Sequence, residues 1–403
     1  MAFGDGPDDE ALYRGWQAFC EQLSAAGEQV FKADNPASSV HRVDALRFLT
    51  QNLGQAFDLA LETRDTRYPS LHAFCGPTRK LGGDCADFTY QQAWIDGVST
   101  YRIVGELGTA RFLNITVQGP RPGGPGVLHE PFGDQPEANL LGGQLTTAGD
   151  GIVELYVGGA QRGPNWLPTT AGSRKIFIRQ GFDSWDERPA RLRIERVGMA
   201  SPKPLPSTGQ LLDAIGWAGA FVTGVMGDWP EFPFAHGGVD ARQPNRFPVV
   251  EAGEDDVKRG RAAANMHWTL AGDEALVIEF DAHEGLWMLT NMGVFFNSMD
   301  FRYRPVSYTP SRTAVDGDGR VRVVLAHTDP GVHNWMDTQG FERGNLTYRH
   351  MLEGAPAVLQ TRVVKHVALR DALPADTATV TNEERAAQMW VRFNAIQQRY
   401  SLL

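Results

Sequence analysis

The feature that most constrains the fold of this chain is a change in the spacing of its apolar residues at Phe88. In the runs 9–26 and 42–62, apolar residues recur every three or four positions, which predicts helices. From Phe88 onward apolar and polar residues alternate, which places successive side chains on opposite faces of a strand. Glycine- and proline-rich turns divide this region into predicted strands at Tyr90–Ile95, Ser99–Val104, Ala110–Val117, Ile152–Val157, Lys175–Arg179 and Leu192–Val197. Short strands with this punctuation predict a sandwich or a barrel.

A second β-rich block follows a stretch with helical spacing at Leu211–Val222 and near Val257–Met266. Its predicted strands are Ala275–Phe280, Leu286–Met292, Val321–Leu325 and Tyr348–Met351. A final helix is predicted at Glu383–Tyr400, opened by a capping box of Thr381 and Glu384. No repeat of 20–50 residues is apparent.

The fold class predicted from this order is α+β and β-rich. It has two antiparallel jelly-roll or sandwich-like units joined by N-terminal, linking and C-terminal helices. A chain of 403 residues exceeds the size at which one core usually stops growing, which favours more than one domain. The predicted segments are a helical region at 1–80, a β domain at 81–205, a helical connection at 206–270 and a second β domain at 271–403.

Charge and cysteine content narrow the class of function. The chain has 38 basic and 48 acidic residues, a formal charge of −10. That charge disfavours nucleic acid as a partner, because affinity for phosphate backbones comes mainly from Lys and Arg. No apolar run reaches the ~18 residues of a membrane span, and the N-terminus lacks the pattern of a secretory signal. Three cysteines are too few for a disulfide framework, so we expect a cytoplasmic protein; a homo-oligomer is compatible with these features.

The run 327–340 concentrates more chemistry than any other part of the sequence. His327 or His333 is a candidate general base, with Asp329 as the carboxylate that orients it, because an imidazole titrates near neutral pH. Further candidates for substrate binding in the same run are Asn334, Trp335 and Asp337. Two other interpretations stay open at this point. The spacing of the two histidines and Asp329 suits a divalent metal, and all of the carboxylates are also suited to capping turns.

A second candidate cluster lies in the run Gly82–Tyr90, directly before the first predicted strand. Asp87 and Tyr90 are candidates for proton transfer, and Asp84 is a candidate for substrate binding. Cys85 would be a nucleophile only with a histidine nearby in space. The Gly-Gly step lacks the lysine and the helix start of a phosphate loop.

Aromatic and cationic residues supply the remaining candidates for substrate binding. Trp166 and Trp335 have polar neighbours and are predicted to wall a pocket, while Arg302 and Tyr308 would hold polar groups of the substrate. The sequence contains no Walker, Rossmann or Gly-x-Ser-x-Gly pattern and no Cys-x-x-Cys pair. We therefore expect no nucleotide or redox cofactor and assign no metal site.

Several of these runs together resemble the DUF1214 family. The runs that carry the resemblance are Asp316–Gly319, Asp329–Gly340, Gly344 with Arg349, Asn297–Asp300, Thr381–Gln388, Gly82–Tyr90 and Tyr101–Thr109. The sequence departs from the family pattern at Cys85-Ala86, where relatives have Asn-Pro. The resemblance implies a relation to proteins that pair DUF1254 with DUF1214, with jelly-roll-like β domains. It also implies that the chain comes from bacteria that degrade steroids and aromatic compounds.

The function that these observations favour is a catabolic enzyme for a hydrophobic, aromatic or steroid-like small molecule. Cofactor-independent acid–base chemistry of the lyase or hydrolase type would occur where the 329–340 loop meets the 84–90 loop. One alternative is a non-catalytic β-sandwich that binds carbohydrate or lipid through exposed tryptophans. The other is a metal-dependent hydrolase or lyase.

Overall fold

The computed structural model describes residues 6–120, 134–236 and 238–401. The α-helices of these ranges are α1 Asp9–Glu28, α2 Ser39–Phe57, α3 Thr208–Asp228, α4 Phe232–His236, α5 Glu254–Arg259, α6 Leu369–Ala372 and α7 Asn382–Ser401. Within the described ranges, no helix combines the length and the apolar character needed to cross a bilayer. Short 3-10 and π turns extend several of these helices.

The first β unit consists of two sheets packed face to face. Its strands are β1 His72–Cys75, β2 Phe88–Trp94, β3 Tyr101–Glu106, β4 Phe112–Pro120, β5 Asp134–Leu141, β6 Ile152–Val157, β7 Trp166–Leu167, β8 Lys175–Gly181 and β9 Arg191–Arg196. One sheet has the order β1-β2-β8-β4-β5 and the other has the order β7-β6-β3-β9. Their inner faces share a core that includes Ile103, Ile115, Leu155 and Ile178, because alternation brings every second apolar side chain to that interface.

The second β unit has the same kind of two-sheet arrangement. Its strands are β10 Ala262–Thr269, β11 Glu274–Asp281, β12 Trp287–Met292, β13 Ser307–Tyr308, β14 Arg320–Ala326, β15 Trp335–Asp337, β16 Arg343–His350 and β17 Gln360–Lys365. The sheet orders are β10-β16-β12-β13 and β15-β14-β11-β17. The core between them includes Trp268, Ile278, Trp287, Val323 and Leu346.

Apart from β1, which has no counterpart among the described strands of the second unit, the two units share one topology. Adding eight to each strand number converts the order β2-β8-β4-β5 into β10-β16-β12-β13, and β7-β6-β3-β9 into β15-β14-β11-β17. All strand pairs are antiparallel except β6 with β7 and β14 with β15, which are equivalent positions in the two units. The β part of the chain is therefore built from two copies of one sandwich-like fold.

The predicted β-rich α+β class with two sandwich-like units is confirmed, and one helix prediction is wrong. The region near Val257–Met266 was expected to be helical, but α5 ends at Arg259 and β10 begins at Ala262. Gly260 adopts a left-handed backbone (φ 70°), which stops the helix. From Ala262 onward the chain pairs with β16, so the second unit begins inside the segment predicted as a helical connection.

Helices close the outer side of the first unit. A single hydrophobic cluster joins α1, α2 and α3 to the outer face of the β1-β2-β8-β4-β5 sheet and to Met288 and Met292 of β12. The outer face of the β1-β2-β8-β4-β5 sheet is thus covered by helices and by the β10-β16-β12-β13 sheet of the second unit. This arrangement determines which polar residues become enclosed.

Candidate functional site

The 327–340 loop contains a structural clamp centred on Asn334. Its side-chain amide donates to the carbonyl oxygens of Ala314 (2.8 Å) and Arg322 (2.9 Å), and its Oδ1 accepts from the Ala314 backbone N–H (2.9 Å). The side chain is 5% exposed. Through these three bonds to backbone, the buried amide holds β14 to the turn that precedes it.

Asn165 makes the same three bonds in the first unit. Its amide donates to the carbonyl oxygens of Thr146 (2.7 Å) and Glu154 (2.9 Å), and it accepts from the Thr146 N–H (2.9 Å). Both asparagines are followed by a tryptophan whose indole N–H donates to a backbone carbonyl, that of Gly158 for Trp166 and that of Ala326 for Trp335. The Asn-Trp pair is a repeated element of the fold.

The turn before each clamp is duplicated as well. Asp150 and Asp318 each accept a bond from the backbone N–H two residues further on, and Gly151 and Gly319 each have a φ of 80°. The sequence contains this signal, because Gly-Asp-Gly recurs after 168 residues and Asn-Trp after 169. This repeat spans a whole β unit, so it is much longer than the ~20–50 residues of a solenoid repeat.

The histidines of the loop have structural partners. Nδ1 of His327 lies 2.8 Å from the Thr338 hydroxyl and its Nε2 lies 3.2 Å from the carbonyl oxygen of Ala271. Nδ1 of His333 lies 3.0 Å from Oδ1 of Asn334. The two rings therefore stabilise the loop and do not converge on one point.

The carboxylates of the loop are engaged in ion pairs. Asp329 accepts from the guanidinium of Arg385 on α7 (2.8 Å), and Asp337 accepts from Arg304 (2.6 Å). Asp329 also caps its own turn through the N–H of Gly331. Within the described ranges, no group of three or more His, Cys, Asp or Glu residues is placed to hold a metal ion. The predicted orientation of a histidine by Asp329 is not seen.

The other predicted binding residues are also spread out. The Tyr308 hydroxyl donates toward the carbonyl oxygens of His333 (3.2 Å) and Trp335 (2.5 Å), so it braces the loop from β13. Arg302 stacks on the ring of Tyr303 at 4.6 Å. Trp166 lies on β7 of the first unit and Trp335 on β15 of the second, so the two do not share a pocket wall.

The carboxylates of the 84–90 run lie on different sides of that loop. Asp84 accepts from both the backbone N–H and the hydroxyl of Ser298, and burial raises its pKa. Asp87 forms an ion pair with Arg312 (2.7 Å). The 84–90 and 329–340 loops both contact the segment 297–300, through Asp84 with Ser298 and through Gln339 with the backbone N–H of Asp300 (2.7 Å). They share a neighbour and do not form the predicted joint site.

Tyr90 alone among the predicted catalytic residues lies at the interface where the two β units pack against each other. On the outer face of the first sheet it pairs with Arg179 of β8, which pairs in turn with Asn114 of β4. Phe177 lies on the same face and its ring contacts the Arg179 guanidinium at 4.0 Å. The backbone N–H of Cys85 donates to the Tyr90 hydroxyl (3.0 Å).

The second unit faces this surface with β12 and β16. Sγ of Cys85 lies 3.8 Å from Sδ of Met288 and 3.2 Å from the Thr290 hydroxyl. Arg349 pairs with Met288 across the sheet and donates to the carbonyl oxygen of Gly83 (2.6 Å). Aromatic and thioether groups therefore meet an arginine from the opposite unit at this interface.

Three arginines lie close together at this interface. We call Arg179, Arg261 and Arg349 the arginine cluster. Arg261 follows the end of α5, directly after Gly260, whose backbone lies against Phe112. Arg179 and Arg261 are partly buried side chains at this interface. Within the described ranges, Nη1 of Arg179 and Nη1 of Arg349 have no hydrogen-bond partner.

The electrostatics of the cluster are unbalanced. Burial lowers the pKa of Arg179 well below its usual value, and repulsion from Arg261, Arg259 and Arg349 lowers it further. The same two causes, with Arg349 as the main neighbour, lower the pKa of Arg261 to about 10. Among the described residues, no carboxylate lies within ion-pair distance of any of the three guanidinium groups. Enclosed cations without acids are costly and indicate a site for an anion.

Sequence reasoning identified Tyr90 but missed the arginine cluster. Arg179 and Arg349 lie on equivalent strands, in the runs Ile178-Arg179-Gln180 and Tyr348-Arg349-His350. The sequence signal for the cluster is an arginine within an otherwise buried strand. That signal becomes recognisable only once the two strands are known to be equivalent. Arg261 carries no signal of its own, since its position depends on how α5 ends.

Comparisons with known proteins support the fold without adding a reaction. No family model matches the chain, and no curated protein matches it. The crystal structure of an uncharacterized protein from Burkholderia cenocepacia is similar, with 28% identity, a TM-score of 0.79, and coverage of 88% of this chain and 97% of that one. A Vibrio parahaemolyticus protein matches at 11% identity and a TM-score of 0.41, over 85% of this chain and all of that one. The resemblance to the DUF1214 family stays a prediction.

Proposed function

We propose that the chain binds a small organic anion with a hydrophobic body in the space between its two β units. The observation that carries the proposal is the arginine cluster, three enclosed guanidinium groups without a carboxylate partner. A carboxylate or a similar oxyanion supplies the missing charge and accepts from the unpaired N–H groups. Apolar walls beside such donors are the usual composition of a small-molecule pocket.

The walls of the space suit an aromatic or alicyclic body. Phe112, Phe177 and Tyr90 come from the first unit and Met288 from the second, all within one hydrophobic cluster. Aromatic rings and a thioether adapt to a rigid apolar ligand through edge and stacking contacts. This composition is compatible with the hydrophobic, aromatic or steroid-like substrate that the sequence predicts, and we include such a substrate in the proposal.

Binding is tested with paired ligands that differ in charge alone. We expect 2-naphthoate to bind the purified protein in isothermal titration calorimetry and 2-naphthamide not to bind measurably. In Arg179→Met, affinity for 2-naphthoate should fall at least about 30-fold, because removing one member of a buried charge pair costs ~2–5 kcal/mol. Arg193→Met, which removes the same charge from the exposed side of β9, is the matched control and should bind normally. Equal affinity for the acid and the amide would contradict the proposal.

Catalysis in the same space would use Tyr90. Burial raises the pKa of its phenol, so the hydroxyl stays protonated at neutral pH and is a hydrogen-bond or proton donor. We therefore keep a lyase- or hydrolase-type catabolic reaction as the enzymatic form of the proposal. Tyr90→Phe should leave 2-naphthoate binding within about threefold, a difference under ~1 kcal/mol, and abolish turnover of any substrate that the chain is shown to transform.

The non-catalytic alternative predicted a flat platform of exposed tryptophans. Among the described side chains, the exposed tryptophans are Trp16 on α1 and Trp390 on α7, and neither lies on a sheet. Carbohydrate binding on a β-sandwich face is therefore less well supported than binding between the units.

A further inference from the structure

A second property of the arginine cluster concerns the charge of the ligand, and it rests on the proposed function. The carboxylates nearest to the cluster already have partners. Asp255 and Asp256 lie 3.5 and 3.9 Å from the guanidinium of Arg259 on α5. Asp84 accepts from Ser298, whose hydroxyl also accepts from the Lys80 ammonium (2.8 Å). Asp256 acts on Arg261 and Asp84 on Arg349 only from beyond ion-pair distance, so no carboxylate of the described residues pairs with the three cluster arginines.

The positions of the arginines are spread over both units. Arg179 lies on β8 and Arg349 lies on β16, the equivalent strand of the other unit. Arg349 reaches Gly83, and Cys85 two residues later contacts Tyr90, which pairs with Arg179. The two arginines therefore approach the same tyrosine region from opposite sides. Arg261 follows Gly260, which packs against Phe112 of β4, and its guanidinium lies close enough to Arg179, Arg349 and Tyr90 to interact with them electrostatically.

We propose that the ligand carries two negative charges and is held between equivalent arginines of the two units, with Arg261 as the third cation. A monoanion would leave two enclosed guanidinium groups uncompensated, whereas a dianion leaves one. A planar guanidinium fork binds a carboxylate or a phosphate in two-point fashion, so either one phosphate monoester or two carboxylates meet this requirement. The shared chemistry is an organic dianion with an apolar body.

The experiment compares ligands of equal shape and different charge by isothermal titration calorimetry on the full chain. Terephthalate carries two carboxylates, and 4-carbamoylbenzoate has one of them replaced by a neutral amide. Phenyl phosphate, which carries both charges on one group, separates the two sources of a dianion. At pH 8 we expect the better of the two dianions to bind at least tenfold more tightly than 4-carbamoylbenzoate.

Arg261→Met provides the control that separates this inference from the proposed function. Because the Arg261 side chain makes no ion pair within the described residues, its removal should leave the fold intact, which circular dichroism and thermal melting verify. In this variant the preference for the dianion over 4-carbamoylbenzoate should shrink to threefold or less. Arg261→Gln should behave in the same way.

Each outcome has one meaning. Equal binding of monoanion and dianion by the wild-type chain overturns the dianion inference and leaves the proposed anion site standing. An unchanged preference in Arg261→Met also overturns the inference, since the third cation would then have no role. Absence of binding by every anion, including 2-naphthoate, overturns both the inference and the proposed function.

Discussion

Replacing Asn334 by Ala is expected to destabilise the second β unit. The side chain makes three hydrogen bonds to backbone groups, its Oδ1 also contacts Nδ1 of His333, and it is almost fully buried. The substitution removes these bonds and leaves the N–H and carbonyl of Ala314 and the carbonyl of Arg322 without them. At about 1 kcal/mol for each lost bond, and more where a group stays unsatisfied, the expected loss is ~3–5 kcal/mol.

The equivalent Asn165→Ala is the matched variant in the first unit. It removes three bonds of the same kind from a side chain that is 2% exposed, so we expect a loss of similar size. The measurement is urea unfolding followed by circular dichroism and tryptophan fluorescence. If the units unfold in separate transitions, each variant should shift only the transition of its own unit.

A conservative replacement sharpens the test. Asn334→Asp keeps the shape and the acceptor for the Ala314 N–H, but it places a carboxylate oxygen against two carbonyl oxygens. It should therefore be at least as destabilising as Asn334→Ala at neutral pH. An unfolding free energy within ~0.5 kcal/mol of wild type for Asn334→Ala, with a loss of ligand affinity, would refute the structural role and restore the substrate-binding role.

Two further predictions concern a buried lysine and the docking of α7. Because burial lowers the pKa of Lys80 to about 8, the folded chain releases this proton at a lower pH than the unfolded chain. The stability of wild type relative to Lys80→Met should therefore rise between pH 8 and 10, by up to ~1.4 kcal/mol per pH unit, in urea unfolding; a constant difference would contradict this assignment. Arg385→Met should cost about 2 kcal/mol because Arg385 also donates to the carbonyls of Val332 and His333, whereas Asp329→Asn should cost under ~1 kcal/mol in the same assay. Equal losses for the two variants would show that the ion pair dominates.

The elements of the fold were largely predictable because alternation in a strand is a local property. Residues such as Ile176 and Ile178 fill one face while Phe177 and Arg179 occupy the other, and the sequence shows this directly. The failure near Val257–Met266 is also local in origin. Ala262 and Ala264 have good helix propensity, and pairing with β16 overrides it.

The candidate site was predictable only at Tyr90. Dense polar loops at strand ends are typical of active sites, but the 327–340 loop uses its polar groups for backbone bonds and for contacts with α7. Sequence cannot separate these two uses, since both require the same residue types. The duplicated Asn-Trp element resolves the matter for Asn334, because a substrate contact would not need to recur at Asn165.

The sequence by itself determined the class of fold and the two β blocks, because both depend on residues close together in the chain. Only the tertiary structure decided that Arg179, Arg261 and Arg349 meet in one enclosed space. The physical reason is that the environment of a charge depends on groups far away in sequence. An arginine in a strand faces water or protein according to what packs against that sheet, and here the second unit covers the first.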